Sequence, residues 1–303
     1  MTPDRLVGVV SRLCLAIISL SLIFTPAAAA QTLQVTIPSS RQYEFHSKRT
    51  GRDYRLFVSL PESYTATDTL RYPVLYVLDG NGFFGLSTET HRLLRLRAEV
   101  PELIIVGIGY PVSSFSETSR PRWLDYTPSA NPAADSLRAT QLGSRAKGGE
   151  LRSGGGPQFV AILRDEIIPF VEASYRTTRD RGLFGDSLGG LLAAYILVTT
   201  PELFSRYALS SPSLWWNNGD IFVREAAYFK THPALNARLF LSVGADEEKD
   251  RMVATVDRLA RILGERRYAG LMMSTHVFEG EDHVSVGPAA MSRSMRFLFP
   301  TPK

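Results

Sequence analysis

The sequence predicts an α/β fold in a single domain, with a mostly parallel central sheet and helices on both faces, and three observations carry that prediction. Continuous apolar runs such as Pro73-Val74-Leu75-Tyr76-Val77-Leu78 and Leu103-Ile104-Ile105-Val106-Gly107-Ile108 suit strands that are buried on two sides. Stretches of helical periodicity fall between such runs, and that alternation builds layered sheets. The third observation is Gly185-Asp186-Ser187-Leu188-Gly189, preceded by Arg181-Gly182-Leu183-Phe184 and followed by the helical stretch Gly190-Leu191-Leu192-Ala193-Ala194-Tyr195-Ile196-Leu197. The order is strand, sharp turn, helix.

Residues 1–30 are set apart from the fold. Arg5 and Arg12 make a basic start, residues 13–24 an apolar stretch, and Pro26-Ala27-Ala28-Ala29-Ala30 a small-residue cleavage region. This is the pattern of a secretory signal peptide, with an uncleaved N-terminal anchor as the competing reading. The apolar core is shorter than the roughly 20 residues a membrane-spanning helix requires, so no stable span is expected after cleavage. Removal after Ala30 would make Gln31 the first residue and take away Cys14, the single cysteine. Thiol catalysis and cysteine zinc sites are thereby excluded from the expected mature chain, 31–303, and a periplasmic or secreted location is expected.

The 303-residue chain is 44% hydrophobic and 21% charged, with a formal charge of +4. Such a mild excess does not indicate nucleic acid. Along the chain, Tyr54-Arg55-Leu56-Phe57-Val58-Ser59-Leu60 alternates as a strand, and further runs fall at 207–209, 238–243 and 271–278. Pro157 opens a helix that Pro169 bends or divides, and 249–263 and 288–297 supply others. The Arg92, Arg95, Arg97 cluster reads as the solvated face of an amphipathic helix. Residues 111–156 have little apolar periodicity, and a long polar loop is expected there.

A serine on such a turn is strained and exposed, and its small neighbours are a steric need. To attack, its hydroxyl needs a base, for which histidine is tuned near neutral pH. In chains with this turn the order is serine, acid, histidine. Of the five histidines, His46 and His91 precede Ser187, His232 precedes the strand that delivers the acid, and His276 sits within the last strand. His283, in Glu279-Gly280-Glu281-Asp282-His283, follows it. The acid is expected in Gly244-Ala245-Asp246-Glu247-Glu248, where the spacing glycine-x-x-acid selects Glu247 and Asp246 is the rival. The acid orients the imidazole without taking its proton. Donors for an oxyanion are expected from the amide of Leu188 and from the turn Asp79-Gly80-Asn81-Gly82, with Asn81 first and Gly80 next.

Together, Leu75-Tyr76-Val77-Leu78-Asp79-Gly80, Gly185-Asp186-Ser187-Leu188-Gly189-Gly190, Ser210-Ser211-Pro212-Ser213-Leu214-Trp215-Trp216 and Gly280-Glu281-Asp282-His283 resemble the serine esterases related to enterochelin esterase and esterase D. The chain looks most like their periplasmic siderophore-esterase branch. The resemblance implies an α/β-hydrolase fold, no metal or other cofactor, and hydrolysis of small-molecule carboxylic esters. It carries the triad onto Ser187, His283 and Glu247, and the oxyanion amides onto Asn81 and Leu188. A family-like Arg-x-x-Asp-x-x-Pro segment falls at Arg122, Asp125 and Pro128; glutamate at the acid position departs from commoner members.

Trp215 and Trp216 follow a strand on the side where such sheets bind ligands, one of them walling the pocket and the other joining the core. Arg120 and Arg122 either meet an anionic substrate or form a structural ion pair, for instance with Asp125. The expected function is that of an exported serine esterase acting on a siderophore-type ester. Feruloyl or acetyl esterase and acyltransferase are alternatives on the same scaffold, and a non-catalytic siderophore or glycan binder is the alternative of another class.

Overall fold

The computed structural model describes residues 34–301 except 68 and 144–150, together with the backbone but not the side chains of 248–250. The expected signal segment, 1–30, lies outside the described residues. Eight strands make one sheet in the unit Ile37–Lys303: β1 (Ser40–His46), β2 (Asp53–Ser59), β3 (Tyr72–Val77), β4 (Ile104–Gly109), β5 (Thr177–Asp186), β6 (Arg206–Ser210), β7 (Ala234–Gly244) and β8 (Ala269–Phe278). Their order is β1-β2-β4-β3-β5-β6-β7-β8. β2 pairs antiparallel with β1 and with β4, and every pair from β4 across to β8 is parallel. This is the α/β-hydrolase arrangement that the sequence predicts.

Helices α1 (Gly80–Arg95), α2 (Ser119–Asp125), α3 (Pro132–Leu142), α4 (Gly156–Ile162), α5 (Ile168–Ser174), α6 (Leu188–Leu197), α7 (Trp216–Phe229), α8 (Met252–Arg266) and α9 (Val286–Leu298) join or follow the strands. Alternate strand residues face opposite ways, so each face has its own core. On one face Leu75, Val77, Ile105, Phe184 and Phe240 pack with Phe84 of α1 and Met291, Met295 and Leu298 of α9. On the other, Val74, Tyr76, Val106, Leu183, Leu209 and Leu239 pack with Phe159, Leu191, Ile221 and Leu259 from α4, α6, α7 and α8. Two buried faces explain why the parallel strands read as unbroken apolar runs.

The unbroken polar loop expected over 111–156 is replaced, in its described part, by a 3-10 turn at Phe115–Thr118 and by α2 and α3. Helix α3 has a sound start, since Asn131 accepts a hydrogen bond from the Ala134 N–H (3.0 Å) and Pro132 occupies the first turn. It buries no residue, so it has no apolar stripe from which a helix can be read. At Pro169 the chain does not divide. A π-turn at Leu163–Ile167 runs directly into α5 and accommodates the missing proline N–H. Among the described residues, no helix is long and apolar enough to cross a membrane.

Candidate active site

Parallel strands deliver their C-terminal ends to one edge of the sheet, and the candidate residues gather there. Ser187 follows β5 at φ 59° and ψ −118°, a strained backbone for a residue with a Cβ. Its N–H donates to Ser210 O (3.0 Å), and its carbonyl accepts from the amides of Leu191 and Ser213 (3.0 Å each). A Cβ on Gly185 would overlap the carbonyl oxygen of Gly189 across the turn, so only glycine fits there.

The Ser187 Oγ lies 3.0 Å from His283 Nε2, and His283 Nδ1 lies 2.5 Å from Glu247 Oε2. Glu247 sits in the 3-10 turn Ala245–Asp250 after β7 and is 1% exposed. Its other oxygen accepts from Ser211 Oγ (2.6 Å) and from the Gly244 N–H (2.8 Å). Burial alone would raise this carboxyl, but the hydrogen bonds from His283, Ser211 and Gly244 outweigh it and hold the group below its ordinary range. The rival, Asp246, is exposed, and its amide instead joins the two loops by donating to Glu281 O (3.1 Å). A Cβ on Gly244 would overlap that same carbonyl, so the close approach of acid turn and histidine loop requires glycine.

The histidine loop is held from within. Asp282 Oδ1 accepts from the amides of Val284 (2.8 Å) and Ser285 (2.9 Å), and Ser285 Oγ accepts from the Asp282 N–H (3.0 Å). The hydrogen bond to Glu247 raises the affinity of His283 for a proton above the ordinary histidine value, against its partial burial, and the charge of Asp186 adds to the effect. Asp186 itself is raised by burial to about 7, with a hydrogen bond from Ser210 Oγ (2.7 Å) acting the other way. A serine hydroxyl facing an imidazole whose far nitrogen is held by a carboxylate can give up its proton as it attacks an electrophile.

Beside this line lie two helix starts. The first turn of α1 closes with Gly82 N–H donating to Asp79 O (2.9 Å), which leaves the amides of Gly80 and Asn81 ahead of the ladder. Leu188 holds the corresponding place in α6, where Leu191 donates to Ser187 O. The two turns abut, since a Cβ on Gly189 would sit 3.4 Å from Leu78 Cβ and 3.6 Å from Asp79 Oδ2. Asn81 is fixed by its own side chain, which accepts from the Tyr110 N–H (2.8 Å) and donates to Tyr110 O (3.0 Å).

Arg122 requires a correction. It does not line the concavity over Ser187, and its partner is not Asp125. Its Nε and Nη2 donate to the two oxygens of buried Asp79 at 2.8 and 2.9 Å, while Tyr126 Oη accepts from the Asp79 N–H (3.0 Å). Asp125 is buried with Arg52, Tyr54 and Tyr110. Arg122 therefore fastens the turn that carries Asn81. Arg120, on the same helix, does not line the concavity either.

That concavity, about 370 Å³, is lined by Ser187, Ser213, Trp215, Met252 and His283. Trp215 is 43% exposed, and its indole N–H donates to Met252 Sδ (3.2 Å). Trp216 is not a wall of it: at 1% exposure it meets Trp123 edge-on and donates to Ser129 O (3.1 Å). Ser211, Ser213, Met252 and Asp79 were not picked out by sequence reasoning. Ser211 lies within a motif that the sequence does show, but nothing there distinguishes its hydroxyl from those of Ser210 and Ser213. Among the described residues, no group of three or more histidine, cysteine, aspartate or glutamate side chains could hold a metal ion.

Known proteins share this architecture. The chain is 32% identical over 271 residues to the ferri-bacillibactin esterase BesA of Bacillus subtilis, covering 86% of this chain and 90% of that one. It is 30% identical over 298 residues to the siderophore triacetylfusarinine C esterase of Aspergillus fumigatus, covering 88% and 94%. The crystal structure of the BES protein from Bacillus cereus superposes with a TM-score of 0.78 at 30% identity, over 90% of this chain and all of that one. Residues 47–287 match the family described as "Putative esterase". With that match over most of its length and relatives aligned nearly end to end, the chain belongs to this esterase family.

Proposed function

We propose that the protein is an exported serine esterase acting on siderophore-type esters. The observation that carries the reading is the hydrogen-bonded line Ser187-His283-Glu247 at the open edge of the sheet. Ser187 Oγ attacks the ester carbonyl and passes its proton to His283 Nε2. Glu247 holds the Nδ1 proton and stabilises the imidazolium. The amides of Leu188 and Asn81 receive the negative charge on the carbonyl oxygen. As the C–O bond breaks, the alcohol takes the proton from His283, leaving an acyl group on Ser187. Water then attacks that acyl group, gives a proton to His283, and releases the acid as Ser187 regains its own.

The substrate class is supported by the relatives, one named a ferri-bacillibactin esterase and another a siderophore triacetylfusarinine C esterase, and by the half-exposed indole of Trp215 beside Ser187. Residues 1–30 support export, and the mature protein is expected to begin at Gln31, which N-terminal sequencing checks. The deciding experiment is a hydrolysis panel of siderophore, feruloyl, acetyl-sugar and thioester substrates, with labelling by a fluorophosphonate. Ser187→Ala should abolish the label and lower turnover by on the order of 10⁴ or more. A folded chain that neither labels nor turns over any ester sinks the reading in favour of a binder. Acylated sugar or glycerol among the products would turn it into an acyltransferase.

A further inference from the structure

A second concavity, about 360 Å³ and open to solvent, lies close along the chain to the first and is lined by Ser129, Asn217, Asn218, Asp220, Val223 and Arg224. Trp215 lines the first concavity and Asn217 the second, so along the chain Trp216 alone stands between them. At the second concavity the backbone does something costly. Asn217 (φ 47°, ψ 50°), Asn218 (φ 58°, ψ 30°) and Gly219 (φ 79°, ψ 38°) are left-handed in succession, interrupting α7. Runs of left-handed residues are disfavoured by Cβ sterics, and such strain persists where surrounding contacts enforce it.

Those contacts are present. Asn217 Nδ2 donates to Ser129 Oγ (2.7 Å) and to Ala130 O (3.0 Å), and Ser129 Oγ donates to Asp220 Oδ2 (3.1 Å). Asp220 is also paired with Arg224 (2.9 Å), so the two charges in the wall offset each other. Among the described residues, no hydrogen bond anchors the exposed amide of Asn218, which offers both a donor and an acceptor.

We propose that this concavity is a second substrate subsite, which takes an uncharged amide- or hydroxyl-bearing arm of the ester while the scissile bond lies over Ser187 and the body of the substrate crosses Trp215. The inference rests on the esterase reading. Compensated charges favour a neutral arm, and the Asn218 amide with the exposed apolar side chain of Val223 matches a group both polar and part apolar. An ester too short to pass Trp215 gains nothing from it.

The test compares phenyl acetate with esters carrying a short N-acetylated amide arm on the acyl or the alcohol side, in the full-length enzyme and two variants. Asn218→Gly removes the amide and keeps the left-handed backbone without strain. Val223→Trp fills the concavity from a position outside the strained turn. In each variant the ratio of kcat/KM for an amide-bearing ester to that for phenyl acetate should fall about tenfold, through KM. A ratio unchanged in both variants overturns the subsite and leaves the esterase standing. A wild-type enzyme that hydrolyses none of these esters overturns the subsite, and overturns the esterase as well if it also takes no fluorophosphonate label.

Discussion

Replacing Glu247 by Gln is expected to cost about 10⁴ in kcat, roughly 5.5 kcal/mol of barrier, and the geometry explains why so small a change weighs so much. Glu247 receives three donors: His283 on one oxygen, and Ser211 with the Gly244 amide on the other. A glutamine has one acceptor oxygen and one NH₂. The Gly244 N–H is a backbone donor that cannot turn away, so the amide oxygen stays on its side and the NH₂ faces His283. Nδ1 must then accept, which moves the imidazole proton to Nε2, 3.0 Å from Ser187 Oγ. In that tautomer Nε2 has no lone pair for the serine proton.

The pH profile supplies an independent check. The hydrogen bond to Glu247 is the largest cause that raises the proton affinity of His283, so its loss lowers it. On the proposed mechanism a protonated His283 cannot take the serine proton, and kcat/KM should therefore fall on the acid side. In Glu247→Gln that acid limb should move to lower pH while the plateau drops. Asp246→Asn should leave both unchanged, since Asp246 is exposed and, among the described residues, only its amide is engaged. The assay is hydrolysis of a neutral aryl ester across pH, with thermal unfolding to confirm the fold. Glu247→Gln activity within about tenfold of wild type, or an unmoved acid limb, would refute the reasoning.

Arg122→Ala leaves buried Asp79 without its partner, so a stability loss of about 3–5 kcal/mol and similar drops in kcat on anionic and neutral aryl esters are expected. Urea unfolding and paired kinetics measure them, and a rise in KM confined to the anionic ester would show direct substrate contact instead. The adjacent tryptophans should separate cleanly. Trp216→Ala costs about 3–5 kcal/mol by unfolding, because the ring is in the core. Trp215→Ala costs about 1 kcal/mol or less and raises KM for aromatic esters.

Much of this arrangement is legible in the sequence because its requirements are local. The elbow needs glycines at fixed spacing, and the parallel strands, covered on both sides, can only be apolar. What escapes is of two kinds. β1, a short edge strand in which only Tyr43 and Phe45 alternate with Arg41, Gln42 and Glu44, and α3, which buries nothing, have little apolar pattern to read. The partners of Arg122 and of the tryptophans, and the hold of Ser211 on Glu247, are the second kind, since which of two neighbouring tryptophans turns inward, or which carboxylate an arginine meets, is decided by chain far away in sequence. Arg122 passes over Asp125, three residues on, for Asp79, 43 residues back. Asp125, meanwhile, is enclosed by Arg52, Tyr54 and Tyr110.

The backbone just past three neighbouring strands shows what the site demands of the fold. After β3, β5 and β6 stand Asp79 (φ 54°), Ser187 (φ 59°) and Ser211 (φ 40°), each left-handed although none is glycine. Glycine would suit each backbone better, so what holds the present residue is its side chain: Asp79 on Arg122, Ser187 on His283, Ser211 on Glu247. For Ser211 the two contributions can be separated. Ser211→Ala loses the hydrogen bond to a buried carboxylate, worth about 1.5–3 kcal/mol, and keeps the Cβ strain. Ser211→Gly loses the same bond but relieves about 1–2 kcal/mol of that strain, partly offset by the greater freedom of glycine in the unfolded chain. Both should lose activity equally, about 10- to 100-fold, because Glu247 is loosened alike, while Ser211→Gly unfolds at a higher urea concentration than Ser211→Ala. Full activity in both would mean that the bond does not hold the acid, and a more stable alanine variant would mean that no strain is stored at Ser211.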